Sequence, residues 1–493
     1  VLGLVCPAIL LAWMMWLPWD FTIDDAYISF RYARNLVDGH GLVYNPGERV
    51  EGYTNLAWTL LIAAGMKLGI DPHPLTKILG AISAFAVLGV AYRLSERLLP
   101  FGRLPCMATW VLALSFPLAG HAVFGLETSF FAALVGVGLL MMLRELEHPR
   151  AFPWSGLVFA LAGFARPEAP MFLGLPMLAL GRGFWSRQNI TRGVIFTVPL
   201  LVHLMWRYGY YGELLPMTFM AKTGGLERQL YKGRVYLLQY WRDMAVLGAF
   251  GAYGLSFAIF ERKREWIMVA ALTLVPAGYI WIVGADWMPG FRLIGHSVLF
   301  FALLLGASAR KLFELSDRVG RLAIGIALGL GFAWQGRATL RQQEKIQENA
   351  KPFWDGVPVE TAQFLAENAP YGSIVLGDIG WVGWRTNYPI VDILGLVHPP
   401  IAKLEGGYRH KIGPGFTDAI FDTDPDYLVL LLNDKCAKGD KRFQQLLDDP
   451  RLKNYERRYR ADAKGPGSWC IYARTDLPIG PEHAGERMGR WAE

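Results

Sequence analysis

Apolar runs long enough to cross, or nearly cross, a membrane recur along the chain as far as Trp334, separated by short charged segments, and then stop. A hydrocarbon core about 30 Å thick needs about 20 helical residues. On that measure the pattern predicts spans near 1–19, 76–95, 104–120, 125–143, 153–165, 168–183, 193–209, 244–260, 266–283, 291–308 and 321–335, about eleven in all, with 153–165 and 321–335 short for the thickness. The expected fold is an α-helical polytopic bundle over residues 1–336, followed by a soluble domain over 337–493. Segment 1–19 carries no small-residue cleavage motif before Asp20, so it is expected to be a retained span and not a signal peptide.

The stretch Asn55–Ile70 is apolar but short and carries Lys67, which suits either a span or a helix lying in the interface. Charge decides between them. Loops at 93–103, 144–151, 182–192, 261–265 and 309–321 hold fifteen Lys and Arg against seven Asp and Glu. That surplus marks the cytoplasmic side. Making 55–70 a span would put every one of these loops outside, so it is read as an interfacial helix within one outer loop, Asp20–Leu75. The N-terminus is then inside, and the C-terminal domain outside.

Composition agrees, since 53% hydrophobic with 18% charged residues is too apolar for a soluble chain of 493 residues. The net charge of +7 is absorbed by the inner loops and calls for no nucleic-acid partner. A second outer segment, 208–243, breaks the sign rule with Lys222, Arg228, Lys232, Arg234 and Arg242, and cations placed against the bias often meet an anion. In the C-terminal domain Ser373–Gly377, Asp426–Leu432 and Trp469–Ala473 read as strands and Thr361–Asn368 as a helix, which suggests a small α/β fold ending in a tail, Leu477–Glu493. Cys6 and Cys106 lie in spans. Cys436 and Cys470 share the outer domain, where an oxidising compartment would let them pair.

Asp24-Asp25 follows the first span and opens a stretch of helical spacing that stops at Gly39. The plain reading is that Asp25 caps a surface helix and Asp24 favours its dipole. The functional reading is a general base at the membrane surface, its basicity raised by a neighbouring carboxylate and partial desolvation. Downstream, Tyr44, Glu51 and Tyr53 sit among turn-forming Gly and Pro as sugar-compatible side chains. Glu127, Arg166, Glu168, Glu213, Lys222, Asp286 and Arg292 fall in later outer loops. The histidines lack ligand spacing and no phosphate loop is present, so metal and nucleotide chemistry have no convincing signature, although adjacent acids at 24 and 25 are a minimal divalent-cation site.

These motifs together resemble the GT-C class of membrane glycosyltransferases, in particular the bacterial group containing the mycobacterial and corynebacterial enzyme that adds terminal β-1,2-arabinofuranose. The resemblance rests on Asp24-Asp25-Ala-Tyr-Ile with Arg31-Tyr, and on the block from Gly39 to Asn55. It extends to Gly125-Leu-Glu-Thr, Arg166-Pro-Glu, Glu213-Leu-Leu-Pro-Met-Thr with Lys222, Gly284-Ala-Asp-Trp-Met-Pro, Gly377-Asp-Ile-Gly and Val391-Asp-Ile-Leu-Gly-Leu. Met217 stands where much of the group has Asn. The resemblance implies a bacterial cytoplasmic-membrane enzyme with a polyprenyl-phosphate sugar donor, a glycan, lipid or protein acceptor and an outer-face site, with Asp24 or Asp25 as base. Lys222, Arg292 and Arg166 would meet the donor phosphate, and Glu51, Glu127 and Asp286 would orient hydroxyls. No cofactor is then required. The competing readings are a transporter or flippase of a lipid-linked sugar, and a membrane scaffold.

Overall fold

The structure is a computed structural model and describes residues 1–98, 106–433, 435–462 and 467–481. Arg103 of the first basic loop and the tail beyond 481 lie outside the described residues. The chain divides into two compact units. The first comprises Val1–Thr22, Thr76–Leu204 and Leu226–Glu344; the second gathers Ile23–Leu75, Met205–Gly225 and Lys345–Glu493.

The first unit is a helical bundle. Among the described residues five helical stretches are long and apolar enough to cross a membrane: Pro72–Leu98, Thr128–Glu147, Arg187–Tyr211, Arg264–Val283 and the one that starts at Arg318. Leu226–Asp243 and Ala245–Glu261, bent by 105° at their junction, make a sixth if taken as one broken span. The other expected spans are shorter or interrupted. Val5–Trp16, Ser155–Ala165 and Ala169–Ala179 are apolar helices of 10–17 residues. The stretch expected to cross at 104–120 holds two short helices, Met107–Ala113 and Phe116–Ala122, parted at Ser115 where Pro117 opens the second. Proline lacks the N–H that would continue the first helix, which explains the break. Bundle helices approach closely through glycine: a Cβ at Gly80 would meet the Ala122 carbonyl, and one at Gly254 the Leu304 carbonyl.

The second unit carries a five-stranded sheet of β1 (Ile374–Leu376), β2 (Ile390–Asp392), β3 (Tyr427–Leu432), β4 (Tyr455–Asp462) and β5 (Ser468–Arg474) in the order β2-β1-β3-β5-β4. β1 runs parallel to β2 and β3, whereas β5 pairs antiparallel with β3 and β4. The three strands read from sequence are present; β2 and β4 were not anticipated. β2 spans three residues, too few to show a period. β4 alternates poorly because most of its residues are exposed, and its Arg457, Arg458 and Arg460 are the kind of charge that blunts a sheet edge. The predicted helix is longer, Lys351–Asn368, with Pro358 inside it. The apolar stretch at 55–70 folds as the helix Leu56–Lys67.

Cys436 and Cys470 form a disulfide with Cα atoms 5.9 Å apart, tying the turn after β3 to β5 across a sequence separation of 34. Closing a loop of that length removes denatured-state entropy worth about 3–4 kcal/mol. Thiol reduction, or Cys470→Ser, is expected to lower the unfolding temperature of the full chain measurably in differential scanning fluorimetry; an unchanged transition would show that the crosslink carries no stability.

Candidate functional site

The helix Asp24–Val37 is preceded by Ile23 as its N-cap, and no side chain caps it. This corrects the capping expectation for Asp25. The helix is also not a surface helix, since 11 of its 14 residues are buried. Asp24, 3% exposed, uses its carboxylate elsewhere: it accepts from the backbone N–H of Gly380 at 2.9 Å and of Trp381 at 2.7 Å.

Those two N–H groups open the short helix Gly380–Thr386. Farther along the Asp24 helix, Arg31 donates to the carbonyls of Gly383 and Tyr388, each at 2.7 Å. Arg34 donates to the Trp384 carbonyl at 2.7 Å and to Asn387 Oδ1 at 2.9 Å. The longer helix therefore places a carboxylate at the amino end of the shorter one and two guanidinium groups at its carboxyl end, offsetting its dipole at both termini. Two glycines permit the approach. A Cβ at Gly380 would strike the Asp24 carbonyl, and a Cβ at Gly383 the Tyr44 hydroxyl and Arg31 Nη1. Tyr44 completes the seam by donating to the Ile379 carbonyl at 2.6 Å while its ring lies 4.3 Å from the Arg31 guanidinium.

Two further acids flank this seam. Burial raises the pKa of Asp378, and Arg409, whose Nη2 is 3.7 Å from it, opposes the rise. Burial foremost, then the Asp378 charge, lifts Asp24 well above the usual carboxylate range against the pull of the Trp381 N–H. Asp392 is fully buried and accepts from the N–H groups of Leu394, Leu396 and Val397, yet burial still pushes it up to about 7. Asp25, half-buried, shares with Asp378, Asp392 and Arg409 an electrostatic influence on Tyr408. The ring of Tyr408 lies 5.4 Å from Lys222 Nζ and 5.9 Å from the Arg409 guanidinium.

The remaining residues proposed for sugar recognition in this unit face protein partners. Glu51 is paired with Arg207 Nε at 2.7 Å, and burial raises it to about 7. Tyr53 meets the hydroxyl of Tyr211 at 3.1 Å.

The first unit holds a separate cluster. Glu127 Oε1 accepts from Arg166 Nη1 at 2.6 Å and from Arg292 Nη2 at 2.7 Å. Arg166 makes a two-bond fork with Glu168 at 2.9 and 3.0 Å, and Arg292 lies 3.6 Å from Asp286. Side chains from three loops far apart in sequence thus converge, three acids gathered around two guanidinium groups. Asp24, Asp25, Tyr44, Glu51, Tyr53 and Lys222 belong to the second unit; Glu127, Arg166, Asp286 and Arg292 belong to the first. The roles of Arg31, Arg34, Arg207, Tyr408 and Arg409 were missed. Asp378 and Asp392 stood inside recognised motifs, but Asp378 meets Arg409 in a later loop and Asp392 meets backbone amides, neither of which a motif reports. Among the described residues no group of three or more His, Cys, Asp or Glu is arranged to hold a metal.

The fold is that of the GT-C membrane glycosyltransferases. It matches ArnT from Cupriavidus metallidurans in the apo state with a TM-score of 0.62 at 12% identity, covering 96% of this chain and 98% of that one. It matches the archaeal oligosaccharyltransferase AglB from Archaeoglobus fulgidus, in complex with an inhibitory peptide and a dolichol-phosphate, with a TM-score of 0.58 at 10% identity over 87% of this chain and 68% of that one. In sequence the chain is similar to the terminal β-(1→2)-arabinofuranosyltransferase of Mycobacterium tuberculosis, 29% identical over 263 residues that make up 50% of this chain and 41% of the relative. The enzyme of the same name from Corynebacterium glutamicum is 27% identical over 59% of this chain and 48% of the relative. The matches thus span about half the length of these curated relatives or less, and they agree with the family likeness carried by the motifs. Residues 339–478 match a domain of unknown function, DUF8728.

Two outcomes test the seam and its acids. Arg31→Lys substitutes a point charge for a planar fork that serves carbonyls in different directions, and is expected to destabilise the protein by about 2–3 kcal/mol; an unfolding temperature equal to wild type would refute the clamp. For Asp392, a folded pKa near 7 lies above its unfolded value of about 3.9. Its stabilising contribution is complete below about pH 4 and lost as pH rises toward 7. The unfolding temperature is expected to fall between pH 5 and pH 7.5, with a smaller fall in Asp392→Asn; equal falls in both would contradict the assignment.

Proposed function

We propose that the chain is an inverting glycosyltransferase that moves a sugar, arabinofuranose first among the candidates, from a polyprenyl-phosphate donor to a glycan, lipid or protein acceptor. The reading places it as a multi-pass protein of the bacterial cytoplasmic membrane, N-terminus inside, with the reaction on the outer face. One observation carries the reading: the motif acids Asp24 and Asp25 stand at the head of a helix locked by buried charge, with Lys222 and Arg409 gathered around Tyr408 in the same neighbourhood. The curated relatives are named arabinofuranosyltransferases, and ArnT has also been solved bound to undecaprenyl phosphate. On an outer face nucleotide sugars are absent, so a lipid-borne donor is the physically sensible one.

Both carboxylate oxygens of Asp24 are engaged by backbone N–H groups, which suits a positioning role. Asp25 is then the base. It takes the proton of the acceptor hydroxyl as that oxygen attacks the anomeric carbon from the side opposite the phosphate. The bond from the anomeric carbon to the phosphate oxygen breaks, its electron pair staying on the phosphate near Lys222. Arg166 and Arg292 spend their donors on Glu127 and Glu168, with Asp286 adding charge balance, so we assign them with Glu127 and Asp286 to an internal lock of the bundle. Tyr44, Glu51 and Tyr53 shape the loop that supports the acids. Because a cation neutralises the departing phosphate, the step needs no metal.

The test is transfer by purified full-length protein from a panel of polyprenyl-phosphate sugars. Asp25→Asn is expected to lower the rate by about 10²–10⁴-fold, the worth of a general base, and a chelator to leave it unchanged. Wild-type rates in Asp25→Asn would remove the proposed base.

A further inference from the structure

Three interruptions among the helices of the first unit meet at one cavity, lined by residues outside the recognised motifs. Ser115 stands at the break between Met107–Ala113 and Phe116–Ala122. Tyr240 and Asp243 end the helix Leu226–Asp243 just before its 105° bend, and Phe291 sits in a loop at φ 58°, the left-handed region that a residue with a Cβ enters at a cost. The helix that starts at Arg318 closes the cavity with Gln335, Thr339 and Gln342. Gln335 Nε2 donates to the Val111 carbonyl at 3.0 Å and Thr339 donates to the Leu114 carbonyl, so the two side chains take up carbonyls that the interrupted helix leaves free.

With its nitrogen fixed there, Gln335 has its oxygen left over. Gln335 Oε1, the Ser115 hydroxyl and the Tyr240 hydroxyl are all buried without a hydrogen-bond partner, Ser115 being 2% and Gln335 3% exposed. The two hydroxyls are close enough to influence each other but do not reach hydrogen-bond geometry, so an inserted oxygen has both to meet. Buried polar groups are almost always satisfied, and three orphans on one cavity mark a place kept for a polar ligand. The lining selects its chemistry. Asp243 supplies a carboxylate held loosely, 3.4 Å from Gln342 Nε2 and 3.7 Å from the largely exposed Arg242. Among the described residues no Lys, Arg or His lines the cavity, so an anion would be desolvated there without compensation. Phe116, Phe291 and Tyr240 add ring surfaces, the last two edge to face at 5.5 Å, and ring faces attract weakly positive C–H groups. Hydroxyls and C–H faces on one uncharged molecule describe a neutral sugar. The cavity, about 20 Å³ and open on one side, exceeds the roughly 10–15 Å³ that one water needs but is too small for a whole ring.

We propose that this cavity is a neutral-sugar subsite that takes the hydroxymethyl arm of a sugar, the ring resting at its open mouth. One primary hydroxyl satisfies all three orphans: its O–H donates to Gln335 Oε1, and its oxygen accepts from the Ser115 and Tyr240 hydroxyls. No covalent step is involved. The subsite does not depend on the transfer chemistry proposed above, and it belongs to the first unit, whereas Asp24 and Asp25 belong to the second.

The test is titration of methyl α-arabinofuranoside and methyl α-mannopyranoside onto full-length protein in phospholipid nanodiscs, free of sugar-headed detergent, followed by ligand-observed NMR. At least one glycoside is expected to bind saturably, and to bind about fivefold or more weakly in Tyr240→Phe and in Ser115→Ala, the worth of one hydrogen bond. Its analogue lacking the primary hydroxyl, and its counterpart phosphorylated there, are expected to bind wild-type protein more weakly by at least as much. Each variant deletes only a buried orphan hydroxyl, so its unfolding temperature without sugar is expected to equal or exceed that of wild type. Absence of saturable binding by either glycoside, or wild-type affinity in both variants, would overturn the proposal. Lower unfolding temperatures in both variants with sugar affinity unchanged would assign the cavity to structural water, and overturn it equally.

Discussion

The second unit depends on one constraint: a short helix whose two ends must be charge-balanced in a place water does not reach. Gly380–Thr386 has its amino end on the Asp24 carboxylate and its carboxyl end on the buried guanidinium groups of Arg31 and Arg34. Every one of those charges comes from a single neighbouring helix. Removing one would leave the others buried without compensation, which costs far more than an exposed ion pair is worth. The pairing therefore holds as a set, and it fixes where Asp24 points.

That constraint gives the acids their chemistry. An aspartate pair in water would titrate in the usual carboxylate range. Here burial and the charge of Asp378 lift Asp24 well above it, while backbone amides keep its carboxylate oriented. Its neighbour Asp25 stays half-buried and bears electrostatically on Tyr408, whose ring lies near Lys222 and Arg409. The bundle shows a different economy. Its cluster of Glu127, Arg166, Glu168, Asp286 and Arg292 joins side chains of one unit by buried ion pairs.

Much of this was legible in the sequence, and the rest failed for identifiable reasons. Long apolar helices, the helix Leu56–Lys67, three strands and the aspartate motif follow from local periodicity and spacing, which is where sequence reading is strong. The expected span at 104–120 broke at Ser115 because Pro117 interrupts backbone hydrogen bonding, a signal present but outweighed by the apolar run. The capping reading of Asp25 failed because the helix starts one residue earlier, with Ile23 at the N-cap, and the partners of Asp24 went unseen because no local pattern reports a contact more than 350 residues away. Arg31 and Arg34 looked like ordinary charges on a helix face for the same reason.

The central claim is that the clamped aspartate pair and the cations near Tyr408 form one reaction site. The most direct measurement is a structure of the full chain with a polyprenyl-phosphonate sugar that cannot be transferred. The phosphonate oxygens are expected at Lys222, with the Asp25 carboxylate on the face of the sugar opposite the phosphonate. A donor whose phosphonate and sugar both lie away from Asp25 and Lys222 would contradict a shared reaction site.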